Sequence, residues 1–171
     1  KITTEAYPYG AGSTGVGAEP FRGNWHQRRG GATAGDLERA GARLVGGSDW
    51  NAQACSDFRA FIEANDLPVG TAFRRQDLYD NRLPNFAGDV GIGINPKLAE
   101  RVKTCDLLIA VGARMDEITT GGYTLVDVPR PKQQFVHVHP GAEILGRVYQ
   151  ADLLIHSGMP EFARAAAKLA P

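Results

Sequence analysis

The chain has 171 residues, 43% apolar and 22% charged, which suits one globular domain with a real core and excludes a disordered chain. Its 19 Lys and Arg balance 19 Asp and Glu, so global charge offers no surplus cation to replace the counterions of a nucleic acid. Cys55 and Cys105 lack a CxxC partner and no apolar run is long enough to span a bilayer. That argues against a disulfide scaffold, a zinc site or a membrane span, and the expected compartment is a reducing cytoplasm.

Residues 1–35 are rich in Gly and polar side chains, with Pro8 and Pro20, and read as an arm or linker. The first residue is Lys rather than Met, which suggests a fragment or a processed product. From Asp36 to the end of the chain, helical and strand-like stretches alternate, the pattern of βαβ units and a parallel sheet. Asp36 caps an expected helix through Leu37, Ala40 and Leu44, and Gly46-Gly47-Ser48 makes a turn. Asn51 caps a second helix with Ala54, Phe58, Phe61 and Ile62 on one face. Asn65-Asp66 ends it, and residues 67–71 form a short strand. Residues 73–82 are expected as a helical turn and residues 83–94 as loop. Asn95-Pro96 starts a helix that places Leu98, Val102 and Cys105 together. The continuous apolar run 107–111 is a strand buried on both faces. Further strands are expected at 134–138 and 152–156, and Pro160 opens a last helix through Phe162, Ala165, Ala166 and Leu169.

Gly10-Ala11-Gly12-Ser13-Thr14-Gly15 matches GxGxxG, but Pro8 precedes it and Gly17 and Pro20 follow. A dinucleotide fingerprint needs a strand before and a helix after, so this stretch reads as flexible arm. Gly112, Ala113 and Arg114 are better placed, directly after the buried strand, where ligands of doubly wound sheets bind. Arg114 can pair with a phosphate there or bridge to a carboxylate, and both readings stay open. Gly46 and Gly47 carry the same argument more weakly. His137 and His139 alternate on a strand and share a face. With no Cys or carboxylate at ligand spacing, a metal site is not expected, and a strand-end His139 that bonds a loop or faces a cleft fits better. Asp89, Asp116 and Glu117 are separate loop acids. There is no GxSxG elbow, no Walker loop, and no nucleophile with a readable base, so no catalytic residue is assigned.

Five stretches in one order carry a resemblance: residues 46–50 (GGSDW), 65–69 (NDLPV), 87–91 (AGDVG), 106–114 (DLLIAVGAR) and 136–140 (VHVHP). Over residues 36–169 the sequence resembles the central domain of thiamine-diphosphate enzymes of the acetolactate synthase type. The resemblance implies an α/β, Rossmann-like (DHS-like nucleotide-binding) three-layer sandwich, with a parallel sheet of six strands flanked by helices. It implies a three-domain parent, dimeric or tetrameric, in which other domains hold thiamine diphosphate and Mg²⁺ and make or break the C–C bond beside a carbonyl of a 2-oxo acid. Some members hold FAD or an ADP-containing molecule in this domain.

Three departures set further expectations. The family's GDG…N motif is absent, so the isolated chain is expected to be inactive. Only Arg43-Leu44-Val45 stands between the expected first helix and Gly46, as though about ten residues were missing and the central strand were in doubt. The strand that often ends in an acid in flavin-binding members reads His137-Val138-His139, which weakens an FAD anchor. The rival function is a nucleotide-binding module for FAD, ADP or NAD through Gly46, Gly47, Gly112, Ala113, Arg114 and His139. An NAD-dependent deacetylase fold ranks last, because its zinc module would need more than two isolated cysteines.

Overall fold

The computed structural model describes residues 41–169. The GxGxxG stretch, His26 and the helix start at Asp36 lie outside those residues. Six strands and three helices follow in the order β1 (Ala42–Val45), α1 (Ala52–Ala64), β2 (Val69–Ala72), β3 (Phe86–Val90), α2 (Pro96–Thr104), β4 (Leu107–Val111), β5 (Gln134–His139), β6 (Leu153–His156) and α3 (Met159–Ala166). A 3₁₀ turn at Gln76–Leu78 lies between β2 and β3, inside the stretch expected as a helical turn.

All strands pair in parallel, in the order β3-β2-β1-β4-β5-β6. The order reverses between β1 and β4, which makes this the switch point where a doubly wound sheet opens a crevice at its carboxyl edge. The parallel sheet flanked by helices, Rossmann-like in form, is the architecture that the sequence leads one to expect.

Two expectations are corrected. Leu44 belongs to a strand rather than to a helix, and Ala42–Val45 is itself the central strand, hydrogen-bonded to β2 on one side and to β4 on the other. No missing strand needs replacing. Four residues suffice because both ladders satisfy the backbone, and the strand is buried throughout. The second correction is β3, inside residues expected as loop. It is an edge strand with Gly88 at φ +121 and exposed Asp89. Such an edge strand has no continuous apolar run to mark it.

The sheet has an apolar layer on each face. One layer joins Val45, Val69, Ile109, Val111, Val136 and Ile155 to Phe58, Phe61 and Ile62 of α1 and to Met159, Phe162 and Ala163 of α3. The other joins Leu44, Leu108, Ala110 and Phe135 to Leu98 and Val102 of α2 and to Met115, Leu125, Leu145 and Tyr149 of the connections around β5. The helix starts follow local chemistry. The Asn51 side chain accepts from the Ala54 amide at 2.8 Å, and Asn95 accepts from Lys97 at 2.9 Å with Pro96 in the first turn.

Candidate site at the carboxyl edge of the sheet

Gly46 and Gly47 follow β1, and Gly112, Ala113 and Arg114 follow β4, so the switch point brings both glycine turns together. The Gly46 amide continues the ladder by donating to Val111 at 3.0 Å, and the Gly112 amide donates to Val138 at 2.8 Å. Gly47 and Gly112 both hold left-handed backbones, at φ +74 and +73. A Cβ on Gly47 would strike the Gly112 carbonyl; one on Gly112 would strike the Gly46 carbonyl and come within 2.8 Å of the Met159 sulfur. These glycines therefore let two turns and a helix start pack against one another. The space that their missing side chains leave is filled by protein.

Side chains complete the closure. The Trp50 indole donates to the Gly46 carbonyl at 2.9 Å, and its ring meets Phe58 edge-on at 5.4 Å. The Asp49 carboxylate accepts from the Met159 amide at 3.3 Å, capping α3 from a loop 110 residues earlier. Neither contact was foreseen. Asn51 is the nearer cap residue for α1, and nothing in local spacing marks Asp49 as the partner of a distant helix.

Of the other residues singled out, Ala113 is buried and Arg114 is exposed. Arg114 makes no hydrogen bond or ion pair among the described residues. His139, at the end of β5, meets the Gly141 backbone through Nδ1, which lies 2.9 Å from the amide nitrogen and 3.2 Å from the carbonyl oxygen. Burial lowers its proton affinity, with the nearby Arg114 charge acting in the same direction. His137 is fully buried, stacked on Phe135 with ring centroids 5.5 Å apart, and donates from Nε2 to the Ala113 carbonyl at 2.8 Å. Burial pushes its pKa down to about 4, so it is neutral at physiological pH. The shared face of the two histidines is as expected, their rings lying 6.1 Å apart.

The three acids expected in loops serve local roles, and Asp89 proves to lie in β3 rather than in a loop. Asp89 accepts from the Thr71 hydroxyl at 2.6 Å, Asp116 from the Thr119 amide at 2.9 Å, and Glu117 from the Tyr123 hydroxyl at 2.9 Å. Among the described residues no group of three or more His, Cys, Asp or Glu side chains is placed to hold a metal ion.

This order of parallel strands, with a glycine-lined switch point at its carboxyl edge, defines a doubly wound α/β domain of the nucleotide-binding architecture. Residues 40–166 match the family model described as "Thiamine pyrophosphate enzyme, central domain". The chain belongs to that family. It is similar to "Acetolactate synthase large subunit" of Parasynechococcus marenigrum, 32% identical over 111 residues, which is 65% of this chain and 18% of that protein. It is also similar to "Acetolactate synthase isozyme 2 large subunit" of Escherichia coli, 27% identical over 115 residues (67% and 20%). A third relative, "Acetolactate synthase large subunit" of Corynebacterium glutamicum, is 28% identical over 111 residues (65% and 17%). The matched region spans about a fifth of each relative's length.

Proposed function

We propose that this chain is the architectural central domain of a thiamine-diphosphate-dependent enzyme acting on 2-oxo acids, holding the catalytic parts of that enzyme in register. The observation that carries the reading is the family match running through every strand from β1 to β6, together with relatives named as acetolactate synthases. In this reading thiamine diphosphate and Mg²⁺ are bound by the parent's other domains, and the parent is a cytoplasmic homo-oligomer. One feature of the site supports it: the switch-point glycines are occupied in packing. Mixing the 171-residue chain with pyruvate, thiamine diphosphate and Mg²⁺ is expected to give no product, whereas the polypeptide of the complete reading frame is expected to turn over. Acetolactate or acetaldehyde from the chain alone would overturn the reading.

A second reading keeps a nucleotide at the carboxyl edge. Exposed Arg114 beside His139 favours it, because Arg114 is a cation without a partner among the described residues at the place where a phosphate would approach. Gly46, Gly47, Gly112 and Ala113 would form the floor and FAD, ADP or NAD the ligand. Calorimetric titration decides it: heat that is lost in Arg114→Ala supports the reading, and no heat at millimolar ligand sinks it.

A further inference from the structure

The described residues include four exposed large apolar side chains: Ile92 at 70%, Ile118 at 41%, Tyr123 at 39% and Val128 at 50%. All four lie in the connections that leave the carboxyl ends of β3 and β4; none lies on a helix. The two loops approach one another here, because a Cβ on Gly91 would meet the Ile118 carbonyl oxygen at 3.1 Å. Val128 stands apart, beside Pro129, whose carbonyl accepts from the Gln150 amide at 2.7 Å just ahead of β6 and so at the amino edge. Scattered single apolar residues need no explanation, but Ile92, Ile118 and Tyr123 at the carboxyl edge form a group.

The loop that presents Ile118 and Tyr123 is tied down by its own bonds. The Thr120 amide donates to the Asp116 carbonyl at 2.9 Å, the Gly122 amide to Glu117 at 2.7 Å and the Leu125 amide to Thr120 at 3.0 Å. The Thr120 hydroxyl donates to the Asp116 carbonyl at 2.7 Å and accepts from the Tyr123 amide at 3.1 Å. Thr119 and Thr120 are buried beneath it. Apolar side chains held outward on a pre-formed loop give an association surface that loses little conformational freedom when covered.

We infer that the loops after β3 and β4, with Ile92 and Ile118 at their centre, form the face on which this domain docks against the rest of its parent polypeptide. The inference rests on the reading above and takes its occupant from length. The relatives carry roughly four-fifths of their chain outside the matched region, and three of the four exposed large apolar side chains among the described residues lie on this face, Val128 being the exception. The face fits a largely apolar protein surface, with Glu117 at its rim held by the Tyr123 hydroxyl.

The test is thiol labelling of the protein encoded by the complete reading frame. In a background in which Cys55 and any cysteine encoded beyond these 171 residues are changed to Ser, with Cys105 buried, Ile118→Cys is compared with Arg82→Cys. Arg82 has an 85% exposed side chain and precedes β3, at the opposite edge of the sheet. Maleimide is expected to modify Ile118→Cys at least tenfold more slowly. A smaller ratio overturns the proposal. Slow labelling that appears only as protein concentration rises assigns the face to a second copy and also overturns it, as does a reading frame that encodes no further polypeptide. Loss of thiamine-dependent turnover would count against the functional reading and leave the labelling ratio to judge the docking face.

Discussion

The imidazole of His137 donates through Nε2 to the Ala113 carbonyl at 2.8 Å, tying the middle of β5 to the turn that ends β4. Burial holds the ring neutral, lowering its pKa from 6.5 to about 4, so the unfolded chain binds the proton more tightly than the native one. Stability therefore rises with pH across that window. The contribution is fully present above about pH 6.5 and is lost progressively as pH falls toward 4. With each pKa unit equivalent to about 1.4 kcal/mol, it amounts to about 3 kcal/mol. His139, also lowered, acts in the same direction. Urea midpoints at pH 7.5, 6 and 5 are expected to decrease in that order, and His137→Asn is expected to be less stable at pH 7.5 with a flatter slope.

Gly112 allows a direct comparison of space with backbone strain. Gly112→Ala must adopt φ +73 and also push into the Gly46 carbonyl and the Met159 sulfur. Gly122→Ala must adopt φ +70 but meets nothing within 4 Å. The second is expected to cost about 1 kcal/mol, the left-handed penalty alone. The first should cost at least about 2 kcal/mol more from the forced close contacts. Thermal unfolding of the two variants reads the difference, and equal midpoints would show that the turns are not packed as tightly as described.

Asp49 combines a cap with an unfavourable backbone, at φ +70. Asp49→Ala removes the carboxylate from the Met159 amide and keeps the strain, so about 1 kcal/mol is lost. Asp49→Gly removes the cap and the strain together and should fall between Ala and the wild type. A ranking with Gly below Ala would refute the proposed balance.

Phe58 is fully buried and packs on Trp50 and Phe61 between α1 and the sheet. Phe58→Ala is expected to lose about 3–5 kcal/mol, a large share of a typical domain's stability. Phe58→Leu should lose about 1–2 kcal/mol because most of the volume is kept. Denaturant midpoints by far-ultraviolet dichroism test both.

Much of the sheet was legible because buried parallel strands must be apolar on both faces, as Leu107–Val111 is, and because Asn51 and Asn95-Pro96 announce helix starts locally. β1 was hidden by its brevity and by buried Arg43, and Leu44 also fits a helical spacing from Leu37 and Ala40. β3 was hidden because an edge strand can carry Gly88 and Asp89. At the candidate site, both glycine turns and the strand-end His139 stood out in the sequence. The mutual packing of the glycine turns and the Asp49 cap on α3 did not, since each joins residues brought together by the sheet rather than by spacing along the chain; the Trp50 bond to Gly46 spans only four residues but follows no helical or strand pattern.

The shortest strands of this sheet include the one at its centre. Residues 42–45 hold the β2–β3 half and the β4–β5–β6 half as a single ladder, so a fluctuation that frees them must break bonds on two sides at once. Their amides should consequently be among the last to take up deuterium, exchanging only when the molecule unfolds as a whole. The outer strand β3 should let go first.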